Sequence, residues 1–90
     1  MNQKYKEELL AVIGGIKDKK TQDYFLTDLL TPNEYEEIVK RWQIVKHLHS
    51  GVTQRQIAKN LGISLAKITR GSRMLLDKKG GFNQILNKKK

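Results

Sequence analysis

Cysteine is absent from the chain, which excludes a disulfide scaffold, thiolate metal sites and cysteine nucleophiles. Long apolar runs are also missing. The longest, Leu9-Leu10-Ala11-Val12-Ile13, is far short of a membrane span, and Glu7 and Glu8 precede it. The chain lacks the basic start and small-residue cleavage site of a secretory signal, so a cytoplasmic location is expected, with no membrane partner. Proline occurs once, at Pro32. No useful stretch alternates apolar and polar residues, which argues against strands.

What remains is helical and basic. Ninety residues suit one small domain and are too few for two. A chain of this size buries only a little over ~60% of its unfolded surface, so a lone monomer is expected to be marginal. Charge is unevenly placed. Residues 1–50 hold eight Lys/Arg and eight Asp/Glu, whereas residues 51–90 hold ten Lys/Arg against Asp77 alone and carry the whole net charge of +9. A neutral half joined to a basic half suggests a scaffold attached to a surface for polyanions. Nucleic acid is the first candidate; anionic lipid and a merely solvated basic surface are the others.

Helical spacing of Tyr5, Leu9, Val12, Ile13 and Ile16 predicts an amphipathic helix over 3–17, weakened at its end by Gly14 and Gly15. A second helix is expected over about 20–30, burying Phe25, Leu26, Leu29 and Leu30. Thr31-Pro32-Asn33-Glu34 combines a capping residue, a proline at the first helical position and a glutamate placed to close a capping box. From Tyr35 through Ile38, Val39, Trp42, Ile44, Val45 and Leu48 the apolar positions spread around the next helix, so it reads as central to the core until Gly51 ends it. Thr53-Gln54-Arg55-Gln56 is a second capping box, Gly62 supplies a tight turn, and Ser64 is placed to cap a helix running to about Leu76. After Gly80-Gly81, residues Phe82, Ile85 and Leu86 suggest a last short helix before the lysine tail at 88–90. The fold class is therefore all-α, with five or six helices and no internal repeat.

Thr53 through Leu75 has the layout of a helix-turn-helix: a short capped helix, a glycine turn, and a second capped helix. Ile57, Leu61, Ile63 and Ile68 are placed to lock the crossing, with Ala58 where the helices approach. The second helix is expected to offer Leu65, Ala66, Lys67, Thr69, Arg70 and Arg73 outward, and its N-terminus suits phosphates. An ordinary helical hairpin with a basic side is the plainer reading. An interaction module for RNA or an acidic protein is another, but RNA stacking calls for exposed aromatics and the basic half has only Phe82. His47 and His49, two apart on one helix, cannot share a metal. No nucleophile, base and orienting acid converge in sequence, so no enzyme is expected.

Leu30-Thr31-Pro32-Asn33-Glu34, Arg41, Gln54-Arg55-Gln56, Leu61-Gly62 and Ile68-Thr69-Arg70-Gly71-Ser72 together resemble the Trp repressor family over about residues 26–76. The resemblance implies a single domain over 1–90, in which 1–50 form an intertwined homodimer, 53–76 the helix-turn-helix, and 80–90 a short helix and basic tail. It implies a sequence-specific DNA-binding transcriptional regulator, acting as a repressor on a double-stranded operator. Its DNA contacts fall on Gln54, Arg55, Ser64, Leu65, Ala66, Lys67, Thr69, Arg70, Ser72 and Arg73.

The same resemblance implies an effector, L-tryptophan or a related small molecule, lying between two arginines, one contributed by each subunit; Arg41 and Arg70 match them. Leu30, Thr31, Gly71 and Met74 match the rest of that pocket, with Gly71 leaving room for the ring. Met74 stands where the family has a serine, which predicts weak tryptophan binding, and Lys67 stands where it has a threonine. A ligand-independent regulator is the alternative. No metal or other cofactor is expected.

Overall fold

The computed structural model describes residues 1–88, so Lys89 and Lys90 of the expected tail lie outside the described residues. Among the described residues there are six helices and no strand: α1 (Gln3–Gly15), α2 (Lys19–Leu29), α3 (Pro32–His49), α4 (Gln54–Leu61), α5 (Leu65–Leu76) and α6 (Gly81–Asn87). The all-α expectation holds. The chain forms two compact units, residues 1–35 and 36–90.

Side-chain caps define the first unit. Asn2 Oδ1 accepts from the Tyr5 amide at 3.2 Å, and Asp18 Oδ2 accepts from the Thr21 amide and hydroxyl at 2.9 and 2.8 Å. The Thr31 box is closed in both directions: the Thr31 hydroxyl accepts from the Glu34 amide and the Glu34 carboxylate accepts from the Thr31 amide. Tyr35 Oη donates to Asp23 at 2.9 Å. Helix α1 stops at Gly15, two residues before the expected end, because paired glycines make its last turn the weakest. Neither α1 nor α2 contains a buried residue. Phe25, Leu26 and Leu30 are half-buried, whereas Leu29 is exposed, against expectation. The apolar stripe of α1 faces outward: Tyr5, Leu9, Leu10, Val12 and Ile13 are all exposed.

The second unit holds the core. Ile44, Ile57 and Ile68 are 2%, 1% and 0% exposed, with Leu48, Val52, Ala58, Leu61 and Ile63 packed around them. Val45 is fully buried beside them. The expected wrap of apolar contacts around α3 is only partly present: Ile44 and Val45 are buried, Trp42 is half-buried, and Ile38 and Val39 are exposed. Gly51 and Gly62 take positive φ values of 91° and 63°, ending α3 and turning α4 into α5. Both conformations are strained for residues with a Cβ.

Asn83 is the buried polar residue that the sequence did not flag. Its Nδ2 donates to the carbonyls of Leu75 and Asp77, each at 2.9 Å. Those bonds satisfy orphan acceptors where α5 ends and fasten α6 to it. Phe82 sits 6.4 Å from Trp42, ring centre to ring centre. Trp42 is thus a packing residue, as its helical spacing predicts.

Candidate nucleic-acid interface and effector cleft

The interface begins with the local chemistry of Thr53. Its hydroxyl accepts from the Gln56 amide at 3.1 Å and caps α4. The return half of the expected box does not form, because the Gln56 amide group donates to Asn60 instead, at 2.7 Å. Ser64 takes the N-cap position of α5 but makes no side-chain cap bond. Its hydroxyl is therefore free for an external acceptor, and the first amides of α5 lack a side-chain partner from it.

Arg55, Ser64, Leu65, Ala66, Thr69 and Arg73 are exposed, while Gln54 and Ser72 are half-buried. Thr69 Oγ1 donates to the Leu65 carbonyl at 2.9 Å and lies 3.4 Å from Gln54 Oε1, linking the two helices of the motif. The exposed edges of α4 and α5 carry Arg55, Arg70 and Arg73 with no acid among them. Such a surface attracts a polyanion.

Lys67 is exposed, as expected, and also makes an ion pair with α3. Its ammonium is paired with the Glu37 carboxylate of α3 at 2.5 Å. Arg70, also exposed, lines a small cleft of about 40 Å³ with Glu37, Lys40, Arg41, Ile44, Ile63 and Lys67. Lys67 holds the Glu37 carboxyl below the usual carboxylate range, first by hydrogen bonding and then by its charge, with Arg41 and Lys40 adding to the effect. Sequence reasoning missed Glu37. No local pattern marks this acid, because its partner is thirty positions away.

The structure brings together part of the expected effector site. Arg41 and Arg70 of one chain line the same cleft. Gly71 lies against α3. It is buried, and a Cβ there would meet Ile44 Cγ2 at 3.2 Å and Val45 Cγ2 at 3.4 Å, so the missing side chain admits α3. Met74 lines a different groove, with Trp42, Arg73, Asp77, Phe82 and Ile85. In the first unit, Leu30 is half-buried at the end of α2 and the Thr31 hydroxyl is engaged in its cap. His47 bonds the Gln43 carbonyl and His49 bonds Asn87. Among the described residues no group of three or more His, Asp or Glu is placed to hold a metal, and no helix is long and apolar enough to cross a membrane.

Comparison with known proteins agrees with this layout. The sequence model of the family described as Trp repressor protein matches residues 4–90. A Trp operon repressor homolog of Vibrio vulnificus (strain YJ016) is 39% identical over 85 residues, covering 89% of this chain and 83% of that protein. One from Vibrio cholerae is 36% identical over 85 residues, covering 89% and 82%. Another, from Actinobacillus succinogenes, is 52% identical over 62 residues, covering 68% and 60%. No solved structure matches the chain. With α4, the Gly62 turn and α5 in place and the family match running through all of them, the chain belongs to the Trp repressor family.

Proposed function

We propose that this chain is a transcriptional repressor that binds double-stranded DNA in a sequence-specific way as a homodimer, with α5 as its reading helix. The observation that carries the reading is the α4–Gly62–α5 unit. Gly62 at φ 63° sets the turn, Ile57 and Ile68 are sealed beneath it, and the outer edges are basic. Arg55 at the start of α4 and Leu65, Ala66, Thr69 and Arg73 of α5 are the residues offered to the groove, with Gln54, Ser64 and Ser72 toward the backbone. Lys67 and Arg70 approach DNA from the cleft side. A homodimer presents two such helices to successive major grooves, about 34 Å apart. The family is regulatory rather than enzymatic, and the Vibrio vulnificus and Actinobacillus succinogenes relatives are Trp operon repressor homologs, which supports the reading.

Control by tryptophan or a related molecule is the second layer of the proposal. Guanidinium planes stack on indole and pair with carboxylates, and Arg41 and Arg70 share one cleft. Those two residues supply that chemistry, and their cleft of about 40 Å³ must open to admit an indole; Gly71 and Met74 serve packing and a separate groove.

The test is enrichment of a duplex from a randomised pool, followed by binding titrations with that duplex and a scrambled one. Arg55→Ala is expected to lower discrimination by ~1–3 kcal/mol if Arg55 reads a base edge. Unchanged affinity and unchanged preference would defeat the proposed docking.

A further inference from the structure

The Glu37–Lys67 pair is the polar end of a packed seam between α3 and α5. Glu37, Ile44 and Leu48 lie at i, i+7 and i+11 on one face of α3. Lys67 and Gly71 lie at i and i+4 on α5. A Cβ built on Gly71 would lie 3.2, 3.4 and 3.7 Å from side-chain atoms of Ile44, Val45 and Leu48, so α5 approaches α3 closely only because that position is glycine. That approach brings Lys67 to Glu37, the single carboxylate among the residues lining the cleft.

Both side chains are about half exposed, at 55% and 43%, and such a pair adds little to stability. Its consequence falls on the lysine. An unheld lysine is a flexible point charge that accepts any phosphate. Held at one register by a carboxylate, it must give up that partner before taking another. We propose that Glu37 is a specificity-determining residue for DNA, positioning Lys67 on the reading helix and suppressing its sequence-independent capture of phosphate. This inference rests on the DNA-binding reading above.

The experiment titrates the full chain against the enriched duplex and against a scrambled duplex of equal length, over a series of salt concentrations. Glu37→Gln is expected to tighten binding to the scrambled duplex several-fold and to narrow the preference between the two. It should also steepen the dependence of log affinity on log salt by about 0.9 for each lysine released. In a Lys67→Ala background, Glu37→Gln is expected to move neither the preference nor the slope. A merely structural role would not move the salt slope. A slope and preference unaffected by Glu37→Gln overturn the inference while leaving DNA binding intact. An effect that persists without Lys67 overturns it too, by assigning the change to simple charge repulsion. Failure of the unaltered chain to hold either duplex overturns the DNA-binding reading and this inference together.

Discussion

A Cβ built on Gly71 would lie 3.2 Å from Ile44 Cγ2, and Ile44 is only 2% exposed. Helix α5 therefore rests on α3 through a glycine, and a β-branched neighbour with few rotamers has little freedom to retreat. Gly71→Val is expected to destabilise the second unit by ~1–3 kcal/mol, the usual range for overpacking. Gly14 in α1 provides the contrast, since a Cβ there meets nothing within 4 Å. Gly14→Ala should gain ~1 kcal/mol from helix propensity. Urea unfolding of both variants checks the pair of signs. Equal stability of Gly71→Val and the unaltered chain would contradict the seam.

Capping separates two residues that look alike in sequence. Thr53 accepts a bond from the Gln56 amide, whereas Ser64 makes no side-chain cap. Thr53→Ala is expected to cost about 0.5–2 kcal/mol, and Ser64→Ala to leave stability almost unchanged. If Ser64 instead serves a phosphate, its loss will appear in DNA affinity and not in thermal unfolding.

Local signals explain why so much of the fold was legible. The Thr31–Glu34 box, the Gly51 stop and the Gly62 turn each depend on residues within four positions of one another, and all are present. The helix-turn-helix followed from the same short-range spacing. Features set by distant register were not legible. Lys67 reads as an outward side chain and is one, but nothing near it in sequence announces that α3 places Glu37 beside it. Met74 is four residues from Arg70 on one helix, yet the two line different hollows, Arg70 with Arg41 and Met74 with Trp42 and Phe82. Asn83 carries no pattern that announces its bonds to Leu75 and Asp77.

Acid titration isolates Glu37. Its folded carboxyl lies below the ordinary value of 4.5, chiefly because of the Lys67 hydrogen bond, with the Lys67, Arg41 and Lys40 charges assisting. Arg70 lines the same cleft. A depressed carboxyl binds fewer protons folded than unfolded, so its contribution is present above about 4.5 and disappears as pH falls through the folded value. Urea midpoints compared at pH 7 and pH 3 should therefore fall further for the unaltered chain than for Glu37→Gln. Asp18, also lowered by its Thr21 bonds, titrates in both proteins and cancels. Equal falls would show that the ion pair does not persist in solution.

Effector binding gives a prediction about which residues matter. Arg41 and Arg70 share a cleft, whereas Met74 is 45% exposed and lines the groove beside Trp42 and Phe82. In calorimetry with L-tryptophan, Arg41→Ala or Arg70→Ala is expected to weaken binding. Met74→Ser is expected to change it less than either. Binding undiminished by Arg70→Ala would remove the cleft from consideration.

The first unit cannot hold its shape by local forces. Helices α1 and α2 have 13 and 11 residues, and isolated helices shorter than ~12–15 residues are marginal in water. Neither contains a buried residue, while Leu9, Leu10, Val12 and Ile13 are 39%, 55%, 44% and 42% exposed. Ile38 and Val39 of α3 are exposed as well. Burial of apolar surface is worth roughly 25 cal/mol per Å², and a second copy of the chain supplies matching apolar stripes through two-fold symmetry. A homodimer formed through residues 1–50 is therefore expected, with a melting temperature that rises with protein concentration. Leu9→Glu should shift sedimentation toward the single-chain mass. It should also lower helical circular dichroism beyond the effect of one surface substitution, because α1 loses the cover that keeps it folded. A single-chain mass at micromolar concentration for the unaltered protein, with melting independent of concentration, would contradict the dimer.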